Sequence, residues 1–171
     1  MEEFFSTIIR WPIVEDYFRA FAWSWPLNEI LHFVGLTLLI GIVGMYDLRL
    51  LGVAKGIPVA AVRRLLPWGI FGFGLVTFTG LLFTTGIYIN VAVPPHIVLA
   101  NDVYLQLKLV FLALAGINLL AFYATGMARA TDNLGPGEEA PRLAKVIAGG
   151  SLFFWVAVMY FGRLIPWGQF S

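Results

Sequence analysis

The chain has 171 residues, 60% of them apolar and 12% charged, with a net charge of +1 and a mean hydropathy of +0.84. A water-soluble domain carries about 25% charged residues, and a chain of this size has no interior large enough to hide so much apolar surface, so the composition is that of an integral membrane protein. The near-neutral balance offers no nucleic-acid surface, and the absence of cysteine excludes disulfides, iron–sulfur clusters, thiolate metal sites and thiol catalysis.

Residues 1–25 come first in chain order. Phe4, Phe5, Ile8, Ile9 and Trp11 mix with Glu2, Glu3, Arg10, Glu15, Asp16 and Arg19, and Pro12 interrupts the run. The stretch lacks the basic start, apolar centre and small-residue cleavage site of a secretory signal. It reads as an amphipathic segment lying in the membrane interface, closed by Trp23-Ser24-Trp25-Pro26 at headgroup level.

Four apolar stretches follow, each near the ~20 residues that a bilayer crossing requires. They run over about 27–46, 67–93, 104–126 and 146–165. Neither Asp, Glu, Lys, Arg nor His occurs between Leu65 and Pro95; Lys108 alone interrupts the third stretch, and Arg163 lies near the far end of the fourth. Short connections make 26–171 one domain. The expected fold is all-α: a four-transmembrane-helix bundle with an N-terminal interfacial amphipathic segment. The connection from Thr131 to Pro141 contains Asn-Leu-Gly-Pro-Gly-Glu-Glu and reads as exposed, turn-rich and the most mobile part of the chain.

Basic residues set the orientation. Arg49, Lys55, Arg63 and Arg64 lie in or beside the first connection, Arg129, Arg142 and Lys145 in or beside the third, and none in 94–103. The positive-inside rule therefore places these two loops in the cytoplasm and both termini outside.

Ionisable groups within a span are costly and mark sites by default. Here they collect in the outer half: Glu29 and His32 in the first span, Lys108 about one turn into the third, and Arg163 in the last turn of the fourth. Met159 lies at a similar depth, and Thr84, Thr85 and Tyr88 approach from the second span. His32 stands out. It reads either as an axial ligand to haem iron or as a structural histidine bonded to Glu29 or to a neighbouring helix. In the haem reading, Gly35 leaves room for the macrocycle, Glu29 or Asn28 orients the imidazole, and Lys108 and Arg163 meet the two propionates. In the bland reading, both basic groups snorkel to lipid phosphates. Met159 is a packing residue or a metal ligand, and His96, after Pro94-Pro95, faces solvent or folds back as a second ligand. Asp47 and Arg49 are read as pairing with each other, with lipid or with Arg63-Arg64, and carry no assigned chemistry. Glycines spread through the spans permit close helix approach.

With these residues in view, the chain resembles a family of small four-helix bacterial inner-membrane proteins. The likeness rests on Asn28-Glu-Ile-Leu-His32-Phe-Val-Gly35, Asp47-Leu-Arg-Leu-Leu-Gly52, Arg64-Leu-Leu-Pro-Trp68, Leu107-Lys-Leu109, Ala115-Gly-Ile-Asn118 and Gly162-Arg163 before Pro166-Trp167. A fainter similarity is to membrane-type protoporphyrinogen oxidases and copper-resistance D proteins, which pair a first-helix Leu-His with a Lys-Leu in a later helix. That similarity implies haem b. Relatives often end the third helix with an aromatic-His pair where this chain has Phe122-Tyr123, and the Asn-Glu-rich motif of the oxidase group before its last helix is missing.

The expectation is thus a b-type haem protein of the bacterial inner membrane, passing electrons between a quinone or other membrane partner and a periplasmic redox protein. An alternative is a non-redox anchor or assembly subunit of a larger complex, in which the polar layer only glues helices. A second alternative is copper handling through His32, His96 and Met159.

Overall fold

The computed structural model describes residues 10–87, 89 and 93–168; the apolar positions 4–9 and Tyr88 lie outside these. Helix α1 covers Pro12–Ala20. A proline in the first helical turn forfeits no hydrogen bond and has its φ preset, so Pro12 begins this helix rather than interrupting one. Its Val14, Glu15 and Phe18 are buried, and buried Glu15 is paired with Arg10 at 2.7 Å.

α2 covers Ser24–Leu51. At a rise of 1.5 Å per residue it is about 42 Å long, more than the ~30 Å hydrocarbon core, and so carries Asp47 and Arg49 into its last turns instead of ending at 46. It stops at Gly52, whose left-handed backbone (φ +95°) lets its N–H and that of Val53 return to carbonyls of the last turn. The short α3 (Val59–Arg63) leads into α4 (Leu66–Gly86), which closes before the expected 93. After α5 (Pro95–Asn101), Asp102 caps α6 (Val103–Ala124) by accepting from the N–H groups of Tyr104 and Leu105 at 2.8 and 2.9 Å. α7 (Met127–Thr131) and α8 (Arg142–Leu164) follow, with a final 3₁₀ turn at Ile165–Trp167. No strand occurs among the described residues.

Four helical stretches are long and apolar enough to cross a membrane: Ser24–Leu51, Val59–Gly86, Val103–Ala124 and Arg142–Trp167. Their outer faces leave large side chains such as Phe71, Phe78, Ile117 and Leu120 uncovered, which suits lipid and would be ruinous in water.

The four long helices form two hairpins. α2 packs along α4, α6 packs along α8, and α2 meets α8 between them, whereas α4 and α6 make at most marginal contact among the described residues. The bundle is therefore closed on three sides and loose on the fourth. α2 and α4 cross at Gly35 and Gly72. A side-chain carbon on Gly72 would stand 2.8 Å from the Gly35 carbonyl oxygen and the Leu39 nitrogen, so only glycine allows the two backbones this approach.

The end carrying both basic loops holds the densest core: Leu50, Val59, Phe122, Ala140, Ala144, Ile147 and Ala148. Arg49 is 1% exposed. Its guanidinium donates to the Ile57 carbonyl in the first loop and to those of Gly135 and Glu138 in the third. This corrects the expected pairing of Arg49 with Asp47, lipid or Arg63-Arg64: a buried fork with several donors is satisfied by loop carbonyls. Asp47 instead faces Ser151 on α8. The 131–141 connection is turn-rich, with 136–139 exposed as expected, but it is tied down. Besides Arg49, it is tied by the Val59 N–H to Leu134 O, by the Gly137 N–H to Lys55 O, and by ion pairs Lys55–Glu139, Lys145–Glu139 and Arg63–Asp132.

Candidate functional site

At the opposite end, beside α1, the bundle contains a polar layer in an otherwise apolar surround. α2 presents Asn28 and His32 one turn apart on the face that meets α4. The Asn28 amide Nδ2 donates to the Thr79 carbonyl at 3.1 Å, and His32 Nδ1 lies 2.8 Å from Thr79 Oγ1. Thr79 is fully buried, and its own hydroxyl donates to Leu75 O at 2.7 Å. The Thr79 proton has Leu75 O, Val76 O and His32 Nδ1 within reach; when it lies on Leu75, His32 Nδ1 is the donor and Nε2 keeps its lone pair.

The imidazole stands edge-on to Phe83, with centroids 5.5 Å apart, and its Cε1 is 3.7 Å from where a side chain on Gly80 would begin. From the other hairpin comes Lys108. Its Cδ, Cε and Nζ lie 3.5–3.6 Å from the corresponding point on Gly162 of α8, so the chain runs inward over a glycine. It is close enough to His32 for a charge on either to act on the other. Lys108 has neither a hydrogen bond nor an ion pair among the described residues. In that tautomer an imidazole with a lone pair on Nε2 and an ammonium with no partner among the described residues share one half-buried layer, flanked by Gly80, Gly162 and Phe83.

Several expected members lie elsewhere. Arg163 is exposed, with its guanidinium carbon 4.9 Å from the centre of the Trp167 ring; this is the snorkelling geometry, not a place beside a propionate. Glu29 is exposed and accepts from Trp25 Nε1 at 3.2 Å, so it does not orient the imidazole. The space beside Gly35 is filled by Val76 and the Gly72 backbone, not left for a macrocycle. Met159 is 38% exposed on α8. His96 lies on α5 with Nδ1 buried and unpartnered, and no hydrogen bond or ring contact joins it to His32. Thr84 and Thr85 bond back to Gly80 and Leu81 of their own helix. Among the described residues no three His, Asp or Glu side chains gather into a group that could hold a metal ion.

Thr79 was not singled out in the sequence, yet a signal for it exists. Asn28 and Gly35 are seven residues apart on α2, as are Gly72 and Thr79 on α4. In an antiparallel pair, matched polar and glycine positions at one spacing define a register.

No protein-family model, no curated protein and no solved structure matches this chain.

Proposed function

We propose that this multi-pass membrane protein holds a b-type haem in the layer around His32 and Lys108, and serves electron transfer near the periplasmic face of a bacterial inner membrane. The observation that carries the reading is the proximity of His32, whose Nδ1 is held by Thr79, to a Lys108 ammonium with no carboxylate partner among the described residues, in a half-buried layer. An isolated buried ammonium is expensive, and a ligand that brings both an acceptor for the lone pair and an anion offsets that cost. Haem has both. His32 Nε2 would face the iron, with Nδ1 donating to Thr79 as a ligating histidine's second nitrogen usually does. Lys108 would meet a propionate. The loose side between α4 and α6 is where a flat group enters without disturbing the Gly35–Gly72 crossing. When bound, haem supplies a reversible one-electron couple; the chain supplies the ligand, the counter-charge and an apolar surround.

The absorption spectrum tests this reading. The full chain, purified in detergent with haem available during expression, should show a Soret band that His32→Ala removes or shifts. Insertion of α2 owes nothing to the imidazole, so the variant should still reach the membrane. A colourless wild type, or an unchanged band in a correctly inserted variant, removes the assignment.

The unpacked α4–α6 side also favours a second reading, in which a partner's helix fills it and the chain is an anchor or assembly subunit. A colourless protein that copurifies in a defined ratio with a larger membrane complex supports that reading instead.

A further inference from the structure

A second feature at the same end has no part in holding a haem. Between α1 and the α2–α4 pair runs a groove of about 410 Å³, within the 300–1,000 Å³ range of small-molecule sites. Ile13, Tyr17 and Phe18 of α1 form one wall, and Leu27, Leu31 and Phe78 form the other. The polar residues bordering it, apart from Tyr17, are Ser24 and Asn28. Ser24 Oγ donates to the Phe21 carbonyl at 2.6 Å, so its proton is spent.

Asn28 decides the chemistry. Its Nδ2 donates to the Thr79 carbonyl, and a carbonyl can only accept, which fixes the orientation of the amide. The amide oxygen Oδ1 then has no donor among the described residues. Acceptors in an apolar, aromatic-walled groove, Asn28 Oδ1 and the lone pairs left on Ser24 Oγ, select a ligand with a hydroxyl donor on a flat apolar body.

We propose that this groove binds a membrane quinol, an aromatic diol with an apolar tail, with one hydroxyl donating to Asn28 Oδ1. The ring lies among Tyr17, Phe18 and Phe78, and the tail leaves along Leu27 and Leu31 into the bilayer. Asn28 and His32 are one turn apart on α2, about 6 Å of rise, and share Thr79 as partner, so a quinol here sits beside the imidazole. The inference rests on the redox reading of this end for its purpose, although binding itself needs no haem. It also predicts selectivity: the oxidised quinone has no hydroxyl, forms no bond to Oδ1, and binds more weakly than the quinol.

The test uses the full chain in lipid nanodiscs and tritiated decylubiquinol, with decylubiquinone as the comparison. One saturable site is expected, with the quinone about tenfold weaker for the missing hydrogen bond. Leu31→Trp, which fills the groove from a partly exposed position, should abolish saturable binding. Val110→Trp, on the exposed face of α6, should leave it unchanged. Phe78→Ala, which removes a wall without adding bulk, should weaken binding and guards against misfolding of the Trp variant. Purely linear partitioning, equal affinity for quinol and quinone, binding indifferent to Leu31→Trp, or a copurifying phospholipid that decylubiquinol does not displace would each overturn the proposal. The Soret band of the same samples separates the two readings. A colourless protein that binds quinol saturably keeps this inference and discards the haem, whereas a haem-bearing protein without saturable binding does the reverse.

Discussion

Two cations at opposite ends of the bundle, Arg49 fully buried and Lys108 half-buried, have opposite circumstances. Arg49 is enclosed by the two basic loops and donates to three backbone carbonyls. Lys108 lies across the bundle from His32 with all its donors unspent among the described residues. In the first arrangement each guanidinium nitrogen has a partner and the surrounding core is tightly packed, while Oδ2 of nearby Asp47 is buried without a partner among the described residues. The second has no such partner among the described residues. Burial alone therefore says little about what an intramembrane charge is for, and the state of its hydrogen bonds says much more.

Substitutions can break this contrast. The largest effect is expected at Arg49→Ala, which strips donors from the Ile57, Gly135 and Glu138 carbonyls at roughly 1–3 kcal/mol each. The variant should lose about 3 kcal/mol or more in reversible SDS unfolding, and the 131–141 loop should become protease-sensitive. A stable, protease-resistant variant would show that the loops are held by their packing and ion pairs alone. Lys108→Met should do the reverse. Stability should stay within about 1 kcal/mol of wild type or rise, because a costly charge is replaced by an apolar chain of similar length, while under the proposed haem reading haem retention falls about tenfold for loss of the charge-assisted bond. A strongly destabilised Lys108→Met protein would mean that the ammonium already has a structural role. Arg163→Gln should be the mildest, about 0.5–1 kcal/mol from the contact with Trp167, with no change in the spectrum. A spectral change there would return Arg163 to the site.

The legibility of these features in the sequence divides along the same line. Four apolar helical spans are written in composition and length, because the bilayer imposes both directly. The polar layer was visible as His32, Lys108 and their depth. Which way each side chain points was not, since depth follows from residue count but facing follows from the rotation of a helix against its neighbours. Lys108 and Arg163 read alike and turn opposite ways, one over Gly162 and the other over Trp167. Glu29 and Asn28 are adjacent, and only Asn28 faces α4. Arg49 was misread because its partners are backbone carbonyls from loops far along the chain, and a carbonyl has no residue letter to announce it.

The hairpin arrangement also has a consequence for how the protein is made. Spans one and two pack on each other, as do spans three and four, so most interhelical contacts join consecutive segments, and such local contacts form fast. The Gly35–Gly72 crossing needs nothing beyond residue 86 and is available once the first pair has left the ribosome. Arg49 waits for Gly135 and Glu138, so the seam between hairpins locks late, when the third loop arrives. Arrested nascent chains carrying cysteines at Ile42 and Gly69, whose Cβ positions lie 3.6 Å apart, should crosslink once the second span has been inserted. Chains with cysteines at Gly44 and Leu152, where the hairpins meet, should crosslink only after the fourth. Simultaneous appearance of both products would mean that the bundle assembles in a single step from four separate helices.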